Sequence, residues 1–116
     1  DVVVIAVPAS PQTHHLIDAA ALAMMQPHTH LINIARGDIV QEAALIEALQ
    51  SGRIAGAGLD VYEFEPQVPD ALRAMENVTL LPHLGTAALE VRTQMGLMAV
   101  ENAVAFKEGR ALPNAV

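Results

Sequence analysis

Along this chain, short apolar runs alternate with stretches whose apolar residues recur at three- and four-residue steps, and Pro, Gly or a charge separates the blocks. Residues 1–7 form a β-branched run, a strand of the kind buried on both faces, and Pro8-Ala9-Ser10-Pro11-Gln12-Thr13 breaks it. Asp18 is placed to cap a helix through Met25, with Leu22 and Met25 on one face and Pro27 as its stop. Residues 30–35 are a second apolar run, halted by Arg36-Gly37-Asp38. A second helix is predicted over 38–52, with Leu45, Ile46 and Leu49 inward and Glu42 and Glu47 outward. Ser51-Gly52 closes it, since Gly accepts the left-handed backbone past a helix end. Residues 54–60 predict a third strand, 70–75 a turn of helix and 78–81 a fourth strand. Residues 87–109 predict a long amphipathic helix striped by Ala88, Val91, Met95, Ala99, Ala103 and Phe106, after which 111–116 leave extended.

The unit from 30 to 60 is strand, helix, strand, so an α/β fold with a parallel sheet is expected, with ligands beyond the carboxyl ends of the strands. Arg36 and Asp60 both fall at such ends, where a charge needs a partner or a ligand, and an Arg36–Asp60 ion pair is the plain structural alternative. Gly56-Ala57-Gly58 superficially matches the start of a dinucleotide fingerprint. Position 61 is Val, however, and Asp60 ends a strand, so these glycines are read as permitting close approach of a neighbouring helix.

Composition narrows the classes. The chain has 116 residues, 53% hydrophobic but only 3% aromatic and without Trp, which predicts an aliphatic core in one domain. A net charge of -7 with six scattered Lys and Arg argues against nucleic acid as a partner. No apolar run reaches the roughly 18 to 20 residues of a membrane helix, and no basic leader precedes an apolar segment, so the chain reads as soluble and not a membrane partner. The absence of Cys fits a reducing, cytoplasmic setting. A β-branched strand opening at residue 1, without an initiator Met, is expected of a piece of a longer chain.

Among polar candidates, His83 in Pro82-His83-Leu84-Gly85-Thr86 is the best acid or base, because imidazole changes charge near neutral pH and a nearby carboxylate favours its charged form. A satisfied structural histidine is the alternative. Glu65 stands apart from the other acids of residues 61–77 by preceding Pro66, which restricts its backbone. His14, His15, His28 and His30 raise the question of a metal. The first two are loop neighbours with diverging directions and the last two have no carboxylate nearby in sequence, so solvated histidines and no metal site are expected.

Three motifs then fall in order: Asn33-Ile34-Ala35-Arg36-Gly37, Gly58-Leu59-Asp60-Val61-Tyr62-Glu63-Phe64-Glu65-Pro66, and Pro82-His83-Leu84-Gly85-Thr86. With them the chain resembles the NAD(P)-dependent D-isomer-specific 2-hydroxyacid dehydrogenases over essentially its whole length. The third motif and the ending from Gly109 look most like the glyoxylate and hydroxypyruvate reductase branch. Glu65 argues against the formate dehydrogenases of the superfamily, which carry Gln there.

The resemblance implies a Rossmann-like, doubly wound parallel sheet, partial because it corresponds to the C-terminal half of a coenzyme domain (residues 1–109), with a long C-terminal helix. Residues 110–116 then begin the return to a missing substrate domain. It implies hydride transfer between NAD(P)H and a small 2-oxo acid to give a D-2-hydroxy acid. Arg36 binds the substrate carboxylate, His83 donates the proton, and Glu65 holds His83 charged and oriented. Val7, Pro8, Ile34, Ala35, Arg36, Asp60, His83 and Gly85 are the implied cofactor contacts, Asp60 at the nicotinamide carboxamide. The family's Gly-rich loop precedes the start of this chain, so NAD and NADP both stay open, and the isolated piece is expected to be inactive. The complete protein is expected to be a homodimer. The alternative is a dinucleotide-sensing, corepressor-like interaction protein on the same fold.

Overall fold

The computed structural model describes residues 1–115. They form two compact units: Asp1–Leu84, and a second that begins at Gly85.

In the first unit, four strands, β1 (Val2–Ile5), β2 (His30–Asn33), β3 (Gly56–Leu59) and β4 (Val78–Leu80), make one parallel sheet in the order β1-β2-β3-β4. Their register puts Ile5, Asn33, Leu59 and Leu80 in one row across the sheet, so the segments after them leave from a common edge. The crossovers carry α1 (Ala19–Met24), α2 (Glu42–Gln50) and the single turn α3 (Asp70–Arg73), and α1 packs against α2. The Rossmann-like α/β layout is as expected. Within these residues the strand order runs one way without reversal.

Local signals explain most boundaries. Asp18 caps α1, its Oδ1 accepting from the Ala21 N–H at 2.9 Å. Gly52, with φ of +67°, lets the Arg53 N–H turn back to the Ala48 carbonyl at 2.8 Å and close α2. The core is aliphatic: Leu22, Leu31, Ile39, Leu45, Ile54 and Leu72 are fully buried, and Tyr62 is its aromatic member.

Several expectations change. Within this chain β1 stands at the edge of the described sheet, and Val2 and Val4 are 63% and 55% exposed. The second helix starts at Glu42, because Gly37–Ile39 is a 3₁₀ turn. Glu42 is buried, since its carboxylate accepts a backbone N–H from Glu63. The glycines of β3 make room for the Asn77 carbonyl and the Ile32 side chain, not for a helix. The rings of His14 and His15 stack at 3.9 Å rather than diverging, while His28, with no carboxylate near it in sequence, meets the distant Asp1 at 3.5 Å.

In the second unit, α4 spans Leu89–Lys107 and ends where Gly109, at φ of +67°, allows the Arg110 N–H to reach the Ala105 carbonyl. The expected buried stripe is not found. Val91, Met95 and Phe106 are exposed, as are Leu89, Leu97 and Val100, and at 100° per residue these positions fall all around the helix. Residues 111–115 do not simply leave extended, because the Asn114 N–H donates to Asn102 Oδ1 at 3.2 Å. The end of the predicted return segment, Val116, lies outside the described residues. No described helix is long and apolar enough to cross a membrane.

Candidate active site

Each of the last three strands delivers one polar group to the common edge. At the end of β2, Asn33 is buried and its side chain closes the following turn: Oδ1 accepts from the Ala35 N–H at 3.0 Å and Nδ2 donates to the Arg36 carbonyl at 2.9 Å. Arg36 is thereby held at the tip, exposed, with Nη1 donating to the Ala35 carbonyl at 2.6 Å. Gly37 is obligatory for a different reason. A Cβ there would stand 1.9 Å from the Tyr62 carbonyl carbon, so the turn can lie on the Tyr62–Glu63 peptide only without a side chain.

At the end of β3, the buried Asp60 carboxylate accepts from the Leu84 N–H at 2.7 Å. This anchors the backbone just after His83. Two residues beyond Asp60, the Tyr62 hydroxyl is shared between the carbonyls of Leu81, at 2.8 Å, and Leu59, at 3.2 Å, tying the exits of β3 and β4 together. Burial pushes the Tyr62 phenol above its ordinary value, the hydrogen bond to Leu81 opposing and the charges of Asp60, Glu65 and Glu42 adding.

After β4, His83 adopts a left-handed backbone with φ of +55°, which costs a non-glycine residue about 1–3 kcal/mol and persists only where neighbours hold it. Its Nδ1 meets Glu65 Oε2 at 2.9 Å, while Glu65 Oε1 accepts from the Tyr62 N–H at 3.0 Å. The peptide bond from Glu65 to Pro66 is cis. Burial works to raise the Glu65 carboxyl, but hydrogen bonds from His83 and Tyr62 and the charges of His83 and Arg36 outweigh it and hold the group below the usual carboxylate range. Arg36 and His83, 47 positions apart, therefore both act electrostatically on Glu65.

An open groove of about 660 Å³ runs beyond the ends of β1 and β2, lined by Ala6, Val7, Pro8, Ala9, Ile34, Ala35 and Arg36. Five of the eight expected cofactor contacts share it: Val7, Pro8, Ile34, Ala35 and Arg36. Asp60 and His83 stand at the neighbouring strand ends, and Gly85 opens the second unit.

Sequence reasoning gave no role to several residues that shape the site. Asn33 carried a readable signal, a polar residue ending an apolar run two places before a turn backbone. Glu42, Glu63 and His15 carried none, because their contacts span 21 and 48 positions. His15 Nε2 lies 2.8 Å from Glu63 Oε1, and His14 lies 3.8 Å from Asp38. Among the described residues no group of three His, Cys, Asp or Glu gathers in a metal-holding arrangement.

A parallel sheet with an apolar groove and a charged cluster beyond its carboxyl ends defines a coenzyme-binding α/β domain. The chain belongs to the D-isomer specific 2-hydroxyacid dehydrogenase NAD-binding domain family, whose model matches residues 1–85. It is 46% identical to a glyoxylate reductase of Thermococcus gammatolerans over 116 residues, all of this chain and 35% of that protein. It superposes with a TM-score of 0.97 and 42% identity on a NADPH-dependent glyoxylate/hydroxypyruvate reductase from Sinorhizobium meliloti in complex with NADP and malonate, covering 100% of this chain and 36% of that one. The holo form of Rhodotorula graminis D-mandelate dehydrogenase gives 0.93 and 42%, covering 100% and 34%. The chain thus spans about a third of the length of its relatives.

Proposed function

We propose that residues 1–109 serve as the C-terminal part of the dinucleotide-binding domain of an NAD(P)-dependent reductase that converts glyoxylate, hydroxypyruvate or a similar 2-oxo acid to a D-2-hydroxy acid. Residues 110–116 would begin the return to a substrate domain. The observation that carries this reading is the pairing of His83 Nδ1 with Glu65 Oε2 at 2.9 Å, within the field of Arg36.

The groove suits a dinucleotide in its chemistry. Val7 and Ile34 are 40% and 57% exposed at the ends of strands, apolar surface that a flat ring can cover. The bound nicotinamide supplies the hydride. Arg36, charged at every relevant pH and able to donate twice, binds the substrate carboxylate and polarises the 2-oxo group. With Nδ1 committed to Glu65, Nε2 of His83 is the nitrogen that gives the proton to the developing alkoxide, and Glu65 stabilises the imidazolium before transfer. In the oxidative direction the same nitrogen takes the hydroxyl proton. Asp60 keeps the His83 segment in place through Leu84, and it would be the group that holds the nicotinamide carboxamide. The Ile34–Ala35 backbone, in the lining of the groove, would lie against the same ring.

The relatives named above are reductases and dehydrogenases, and the corepressor-like alternative gains no supporting observation. The reading extends to a homodimer in the cytoplasm, with neither nucleic acid nor membrane as partner.

The test is NADH and NADPH oxidation by a complete protein carrying this chain, with glyoxylate and hydroxypyruvate as substrates. Arg36→Ala and His83→Ala should each lower kcat/KM by about 10²–10⁴-fold. Turnover that survives both substitutions would remove the assignment.

A further inference from the structure

One partly buried polar cluster is not used by the chemistry above. Glu63 lies two residues before Glu65 in the segment leaving β3, and its side chain is only 13% exposed. Both of its carboxylate oxygens are engaged. Oε1 meets His15 Nε2 at 2.8 Å, in the loop between β1 and α1, and Oε2 accepts from the N–H of Glu42, the first residue of α2, at 2.9 Å. The Glu63 N–H donates in return to Glu42 Oε2 at 3.3 Å. Gln41, the residue at the cap position of α2, makes no side-chain cap bond, so a carboxylate 21 residues away supplies the acceptor.

The segments that Glu63 joins are themselves fixed. His15, Ile17 and Gln41 exchange backbone hydrogen bonds between the two loops: His15 N to Asp38 O at 2.9 Å, Ile17 N to Ile39 O at 3.0 Å and Gln41 N to Ile17 O at 3.0 Å. Gly37 also lies against the Tyr62–Glu63 peptide. That peptide matters to the site because the N–H of Tyr62 grips Glu65 Oε1 at 3.0 Å, leaving Oε2 for His83. A carboxylate this well partnered has one place to be, and the backbone it belongs to shares that place.

We propose that Glu63 is a positioning residue: tied to His15 and to the start of α2, it sets the Tyr62–Glu63 peptide so that the Glu65 carboxylate meets His83. It thereby links the loop leading out of the cofactor groove to the acid–base pair. The inference rests on the roles of Glu65 and His83 given under the proposed function. The charged groups facing Glu65 are His83 and Arg36, and those facing Glu63 are His15 and Glu42.

The test compares Glu63→Ala, Glu63→Gln and His15→Asn in a complete protein, by steady-state kinetics and by carbon-13 NMR titration of the Glu65 carboxyl. Ala removes both acceptors. Gln keeps a carbonyl for the Glu42 N–H and an amide to face the His15 ring. Asn tolerates the left-handed backbone of His15, at φ of +50°, but is too short to reach Glu63. Glu63→Ala should lower kcat about tenfold while the KM for the dinucleotide changes less than about twofold. Its Glu65 titration should move up toward the usual carboxylate range. Glu63→Gln should restore most of both, and His15→Asn should fall between. A lowered melting temperature with the Glu65 titration unchanged overturns the proposal, since that is what a purely structural role gives. If Glu63→Ala does not fold, an unchanged Glu65 titration in His15→Asn overturns it equally. The titration needs no turnover, so a wild-type protein inactive on 2-oxo acids would refute the assigned reaction while the positioning is still decided.

Discussion

His83 and Glu65, 18 residues apart, are joined at 2.9 Å because two separate strand exits are pinned to each other. Asp60 holds the Leu84 N–H and the Tyr62 hydroxyl reaches the Leu81 carbonyl, so the backbone on both sides of His83 is fixed from the β3 side. The pair is a property of that frame as much as of its two side chains.

Its electrostatics give a first prediction. Glu65 is held below the usual carboxylate range, so the folded state binds its proton less tightly than the unfolded chain does. The resulting stability is present above about pH 4.3, the value of an unperturbed Glu, and is lost as pH falls through the folded value. Glu65→Gln should therefore be less stable than the parent near neutrality and converge with it in acid. Urea titrations between pH 3 and 7 measure this, and parallel curves for the two proteins would contradict it. The group is about one-third exposed, and the gap should be modest.

Gly37 supplies a second. Because its Cα sits on the Tyr62–Glu63 peptide, Gly37→Ala must push two backbone segments apart, neither of which is a flexible side-chain end. A loss of about 3 kcal/mol is expected, read as a lower urea midpoint. The variant should also loosen Glu65, so its titration moves in the same direction as in Glu63→Ala. By contrast Gly52→Ala, where no atom crowds the site, should show only the smaller penalty of the left-handed backbone.

Asn33 gives a third. Asn33→Ala leaves the buried Ala35 N–H without its acceptor and the Arg36 carbonyl with only the Ile39 N–H at 3.4 Å, at a cost of about 1–3 kcal/mol, chiefly for the Ala35 N–H. With the turn released, Arg36 loses its fixed direction. In a complete protein the KM for the 2-oxo acid should rise more than the KM for the dinucleotide, and equal changes in both would argue that the turn does not orient Arg36.

What was legible in the chain follows from the range of the forces involved. Strand, cap and stop signals act within a few residues, so Asp18, Gly52 and Gly109 could be read directly, and the parallel sheet followed from the strand-helix-strand spacing. Arg36, Asp60, Glu65 and His83 stood out as polar groups after strands or beside Pro66. Burial of Glu42 was not legible, because the Glu63 N–H that draws it inward lies far along the chain. Nor was the exposure of Val2 and Val4, at the edge of the described sheet. The α4 stripe failed for a related reason. Three- and four-residue steps can be picked from a helix whose apolar residues surround it, and only packing distinguishes a chosen stripe from the rest.

Glu42 provides the last prediction, with the sign opposite to that of Glu65. Burial pushes its carboxyl up, the Glu63 N–H hydrogen bond resisting and the Glu63 charge adding to the rise. The folded state therefore binds the Glu42 proton more tightly than the unfolded chain, so the stabilisation is complete below about pH 4.3 and disappears as pH rises through the folded value. At the start of α2 burial and the Glu63 charge both disfavour ionisation of Glu42. Glu42→Gln keeps a carbonyl oxygen for the Glu63 N–H and removes the charge, at a position that lines a groove of about 470 Å³ with Phe64 and Gln67. The variant should melt a few degrees higher than the parent at pH 7, and the advantage should vanish toward pH 4. A variant that melts lower at pH 7 would mean that the charge on Glu42 is needed at the start of α2, and that His15 neutralises Glu63 more fully than the Glu42–Glu63 contacts imply.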